Sequence, residues 1–153
     1  MFRPRVYVDT SVIGGCLDDE FKDYSKLLFK EFISGKKRIV VSDLVLFELE
    51  GAPEDVKDVL HGIPQGSIEY VFLNEESLSL AGTYLKEDVI AENSLADARH
   101  IAIATIERVD VLVSWNFKHI VNLNRIHLIN SVNLKLGYPL IEIRSPLEVI
   151  YEK

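Results

Sequence analysis

Asp9, Glu48 and Asp97 are carboxylates set among apolar or small neighbours, and Asn116 is a fourth polar side chain in a comparable setting. Carboxylates gathered from distant parts of a chain suit a hard divalent cation such as Mg²⁺ or Mn²⁺, which takes oxygen ligands and assists phosphodiester hydrolysis. Without a cation, three such groups repel, and at least one takes up a proton above its usual pKa. Each residue also has a plainer reading. Asp9 follows Val6-Tyr7-Val8 and precedes Thr10-Ser11. It stands either at the strand edge where open α/β sheets bind ligands or simply at the cap of a turn. Glu48 lies at the border of a helical face marked by Val45, Leu46 and Leu49, so it points to water or into a crevice. Asp97 completes a Ser-x-x-Asp capping-box pattern from Ser94, and an acid in a first helical turn is favoured by the dipole alone. The small Ala96 and Ala98 beside it allow close approach of another element. The Asn116 side-chain carbonyl can bind a hard cation or position water without adding charge. His100 reads as a packed or surface histidine rather than a ligand, and Glu50 as surface. Trp115 and Phe117 read as packing residues, although an aromatic at a crevice rim can stack a base.

The elements that must position these side chains alternate between β-rich runs and helix-length amphipathic segments, the pattern of a parallel sheet covered on both faces. Strands are expected at 5–9, 38–41, 69–73, 110–114 and 140–143. Helices are expected at 24–34, from a Ser42 cap to Gly51, from Pro53, at 75–87, at 95–108 under a Ser94 cap, and in the stretch before Gly137, with a short segment after Ser145-Pro146. No internal repeat or low-complexity tract interrupts the pattern.

The 153 residues suit one domain with one hydrophobic core. The 48% apolar content includes no run long enough to cross a membrane. The first residues carry no signal-peptide pattern, so a cytoplasmic protein is expected. Cys16 is the single cysteine, which excludes an internal disulfide and a thiolate-rich zinc site and leaves oxygen or imidazole as metal ligands. A net charge of −7 argues against a surface that attracts nucleic acid everywhere. A local basic rim is still available from Arg3, Arg5, Lys36-Lys37-Arg38, Lys118 and Arg125, or these are ordinary solvated charges.

Taken in order, Val8-Asp9-Thr10-Ser11, Glu48 in its apolar helix, Asp97-Ala98-Arg99-His100-Ile101-Ala102 and Asp110-Val111-Leu112-Val113-Ser114-Trp115-Asn116 resemble a PIN domain. The likeness runs from about residue 6 to about residue 120, and 137–143 is compatible with the family's last strand. No single piece is specific; the ordered set is. The resemblance implies an α/β three-layer sandwich around a parallel five-stranded sheet in the order 3-2-1-4-5, with the acids meeting above strands one and four. It implies a Mg²⁺- or Mn²⁺-dependent ribonuclease in which Asp9, Glu48 and Asp97 form the acidic triad and metal set, with Asn116 at a fourth position where many members carry Asp. Compact members are often VapC-type toxins held inactive by a small antitoxin. An antitoxin is thus an expected partner beside the RNA substrate, and the apolar stretch 21–32 is a candidate dimer or antitoxin interface. On this expectation Asp9 and Asp97 bind the cation, Glu48 binds it or orients the attacking water, and cleavage leaves a 5′-phosphate and a 3′-hydroxyl. The rival reading is a PIN-like domain with weakened or lost catalysis that serves as a binding or assembly module, for which Asn116 and the acidic charge speak. A second rival makes Asp9 a phosphoacceptor or nucleophile; the dehalogenase-like form of it wants a second acid two residues on, where Ser11 stands.

Overall fold

A computed structural model describes residues 2–150. Val6 and Val8 point to one face of the first strand and Tyr7 to the other, all fully buried, as a period of two demands of a strand covered on both sides. That strand, β1 (Arg5–Val8), is followed by α1 (Thr10–Gly15), α2 (Lys22–Ile33), β2 (Arg38–Ser42), α3 (Asp43–Leu49), α4 (Glu54–Asp58) and β3 (Ile68–Val71). Then come α5 (Glu75–Lys86), α6 (Leu95–Ile106), β4 (Val111–Val113), α7 (Leu123–Leu136), β5 (Ile143–Arg144) and α8 (Pro146–Ile150). All four strand pairings are parallel and the order is β3-β2-β1-β4-β5, the expected topology. Tyr7, Val40, Leu112 and Ile143 meet the apolar faces of α5, α6 and α7, whereas Val6, Val8, Ile39, Val41 and Val113 meet α1, α2 and α3. The strand order reverses between β1 and β4, so the crevice of an open sheet falls at their C-terminal ends.

Three local expectations change. The Ser94-x-x-Asp97 box does not form: Ser94 makes no capping hydrogen bond, and its hydroxyl turns to Asn93. By contrast, Ser42 does cap α3, accepting from the Val45 N–H, and Asn74 with Ser77 closes a capping box on α5. The last strand moves from 140–143 to Ile143–Arg144, because the Asn130 side chain of α7 already binds both the N–H and the C=O of Ile141, while Leu140 is exposed. The basic candidates Arg3, Arg5, Lys37 and Arg38 lie at the N-terminal edge of the sheet, the end opposite Asp9. Arg5 pairs with Glu69, Lys37 with Glu31, and Arg3 holds Gly66 and Ser67, so they brace the fold rather than rim the crevice. In the 21–32 stretch Leu28, Phe29 and Phe32 face the core, leaving Tyr24 and Leu27 exposed.

Candidate active site

Asp9 leaves β1 at its C-terminal end in extended conformation (φ −85°, ψ 176°) and caps α1. Cap and site residue thus coincide, since the same turn that accepts the Val12 N–H carries the carboxylate to the crest of the sheet. Asp9 is 4% exposed. Its Oδ1 accepts from the Ser11 hydroxyl at 2.6 Å and the Val12 N–H at 3.3 Å, and its Oδ2 accepts from the Ser114 hydroxyl at 2.6 Å. Ser114 follows β4, so this bond ties together the two strands at the topological switch. Burial pushes the Asp9 carboxyl above its ordinary pKa, while His100 and the three donors pull it back.

Glu48, near the C-terminal end of α3, is half-buried and turns into the crevice. Its Oε1 accepts from the Thr10 hydroxyl at 2.6 Å and from His100 Nε2 at 2.8 Å. Burial pushes its pKa up, but the hydrogen bond and field of His100 together with Thr10 outweigh burial and leave it below the ordinary carboxylate value. Asp97 opens α6 and is half-buried. Its carboxyl is raised by burial and then by the charges of Asp9 and Glu48, against the opposing pull of His100 and His119. Asp97 therefore lies within electrostatic reach of both other acids. Asn116 donates through Nδ2 to Asp97 Oδ2 at 3.3 Å and accepts the His119 N–H on Oδ1, while its own N–H donates to Ser114 Oγ at 2.9 Å. All four expected side chains lie at one end of the sheet: Ser114 links Asp9 to Asn116, Asn116 links on to Asp97, and Glu48 is tied to Thr10, the residue after Asp9.

Sequence reading took His100 for a packed or surface histidine, and it is packed at 3% exposure; it did not show the bond to Glu48, nor single out Ser114. A hint for both lay in spacing: His100 follows Asp97 by one helical turn, and Ser114 ends an apolar strand just before Asn116. Trp115 packs as expected, stacking on Phe21 with ring centroids 4.4 Å apart and donating to Ser25 Oγ at 2.8 Å. Gly15 allows this: a Cβ there would stand 2.6 Å from Ser25 Oγ and 2.8 Å from Trp115 Nε1. Phe117 is exposed beside the site, as is Lys118, while Arg125 turns away to the Val89 carbonyl.

Among the described residues no group of three or more His, Cys, Asp or Glu side chains forms a ready-made metal cage. By type the donors suit a hard cation: they are carboxylate and amide oxygens, Asp97 is raised by burial and then by the charges of Asp9 and Glu48, and Mg²⁺ requires only one or two carboxylates when water and phosphate complete its shell.

The chain matches no known protein-family model and no curated protein sequence. Solved structures do resemble it. A DNA-bound VapBC complex from Salmonella typhimurium superposes with a TM-score of 0.59 at 17% identity, over 94% of this chain and 98% of that one. VapBC2 from Rickettsia felis, bound to a promoter DNA fragment, gives 0.55 at 18% identity over 92% and 98%. The sarcin-ricin loop cleaving toxin VapC20 of Mycobacterium tuberculosis gives 0.57 at 15% identity over 74% and 91%. The fold is thereby shown: it is PIN-like, the α/β fold of these VapC structures.

Proposed function

We propose that the chain is a metal-dependent endoribonuclease acting through Asp9, Glu48 and Asp97, and the toxin half of a toxin–antitoxin pair. The observation that carries this reading is the convergence of three sequence-distant carboxylates, electrostatically coupled, at the β1/β4 switch point of a PIN-type sheet. The likeness to VapC toxins supports RNA as substrate and an antitoxin as partner.

Asp9 and Asp97 would hold a Mg²⁺ or Mn²⁺ ion, with Glu48 as third ligand or as the group that orients the attacking water. When bound, the cation supplies charge neutralisation for the phosphate and lowers the pKa of water. The chain's own groups do the rest. Ser11, Ser114 and the Val12 N–H fix both oxygens of Asp9, which is pre-organisation that need not be paid for on substrate binding. Glu48 stays ionised at neutral pH, because its pKa lies below the ordinary value, and can accept a proton from water. Asn116 orients Asp97 without adding a fourth charge. The exposed Phe117, next in sequence to Asn116, would stack an unpaired base.

Single-stranded RNA incubated with the purified chain tests this. Cleavage is expected with Mn²⁺ or Mg²⁺, is abolished by chelator, and is lost in Asp9→Asn. Undiminished cleavage by that variant refutes the assignment. A second reading, a binding or assembly module with weakened catalysis, is favoured by Asn116 in place of a fourth acid. RNA binding without cleavage at any metal concentration would select it.

A further inference from the structure

His100 is an almost fully buried polar side chain at the site, bonded at both ring nitrogens. Its Nε2 lies 2.8 Å from Glu48 Oε1, and its Nδ1 lies 2.6 Å from the Tyr7 hydroxyl. The Tyr7 hydroxyl lies in turn 2.8 Å from Ser42 Oγ, which accepts the Val45 N–H at 3.1 Å. Tyr7 and Ser42 are both 0% exposed, so their protons must find acceptors inside the protein. Glu48 at neutral pH can only accept, so Nε2 carries a hydrogen. A relay of bonds thus runs from the α3 cap through Ser42 and the Tyr7 hydroxyl to His100 Nδ1, so the ring is held from β2 and β1 on one side while its Nε2 faces Glu48 on the other.

We propose that His100 is a positioning residue, held at Nδ1 by the Ser42–Tyr7 hydroxyl pair so that its Nε2–H fixes Glu48 Oε1 and leaves Oε2 free for the crevice. Thr10 shares Oε1 with His100, and Oε2 takes no hydrogen bond from any described residue, so it is the oxygen available to a cation or a water. The relay begins in the cap of α3, the helix that carries Glu48. Helix position and carboxylate rotamer are therefore set by one chain of bonds across β2, β1 and α6. Outer partners that orient a ligand are worth about tenfold to hundredfold in metal affinity or activity. The role of His100 toward the cation rests on the proposed nuclease reading; its hold on Glu48 does not.

Two measurements test it. Nitrogen-15 NMR of the labelled chain should show a proton on His100 Nε2; an Nε2 without one overturns the relay. Calorimetric titration with Mn²⁺ in the absence of RNA should show His100→Ala weakened about tenfold to hundredfold. His100→Gln, whose amide N–H reaches the Nε2 position, should recover most of the loss. His100→Asn, which reaches only the Nδ1 position, should not, although thermal unfolding finds the two equally stable. In a Glu48→Gln background, His100→Ala should add less than about a twofold effect, since paired residues are not additive. Equal affinity in the Gln and Asn variants, or fully additive losses, overturns the positioning role. A wild-type chain that takes up no Mn²⁺ removes the metal reading, and the NMR result then decides the relay by itself.

Discussion

Replacing Ser114 by Ala removes one oxygen atom that serves two partners. The hydroxyl is fully buried, donates to Asp9 Oδ2 at 2.6 Å and accepts the Asn116 N–H at 2.9 Å. A hydrogen bond to a charged group contributes about 1.5–3 kcal/mol, and a buried donor left unpaired costs about 1–3 kcal/mol. Asn116 is only half-buried, so water can reach its N–H and the second penalty falls at the low end. The expected destabilisation is therefore about 2–4 kcal/mol at pH 7. It should be read from the urea midpoint at unchanged m-value, which reports a stability change rather than a change in the unfolded state. The sign with pH follows from Asp9. Losing a donor to the carboxylate raises its folded pKa further, so the penalty is fully present where Asp9 is ionised and shrinks as pH falls and the group protonates. Thr83→Ala is the control: its hydroxyl bonds only to the Ser79 carbonyl on an exposed helical turn, and its change should stay within about 0.5 kcal/mol. A Ser114→Ala effect as small as that of Thr83→Ala, or one independent of pH, would show that Asp9 is not held through β4.

Asp97→Asn should stabilise the metal-free chain near neutral pH while abolishing cleavage. The folded Asp97 pKa lies above the ordinary 3.8, so the wild type loses stability as pH rises through the window just above that value, and the neutral amide does not. Urea midpoints at pH 4 and pH 7 that differ equally for the two proteins would contradict this. Asn116→Asp should tighten Mn²⁺ binding, because it places a carboxylate beside Asp97; calorimetry showing no gain counts against the fourth position as part of the site. Cys16 is buried, and its thiol is pushed up to about 11, so it should not react with a disulfide reagent at pH 8 until denaturant is added. Fast labelling of the native chain would place it in a more open setting.

Much of the architecture follows from local pattern. The alternation of Val6, Tyr7 and Val8 required a strand with two covered faces, Gly137 at φ 84° ends α7 where a stop was expected, and Ser42 caps the helix that it precedes. Asp9 could be placed at a strand end from its neighbours alone, because the strand's apolar run stops there. Helix starts were less legible. Ser94-x-x-Asp97 satisfies every local rule for a capping box, yet Ser94 turns to Asn93 and Asp97 accepts from the side-chain amide of Asn116, a residue beyond β4 that no local rule includes. The same limit hid the partner of His100, which depends on Tyr7 and Glu48 from two other elements.

By itself, then, the order of residues determined which side chains stand at the ends of strands and on the borders of helices, because periodicity and capping are set within a few residues. Tertiary structure alone decided which of those ends lie on the same side. Only parallel pairing of β1 with β2 and β4 sends Asp9 to the crest beside Ser114 and leaves Arg5 and Arg38 at the opposite edge. Charges so far apart in sequence acquire shared electrostatics only when the sheet register brings them together.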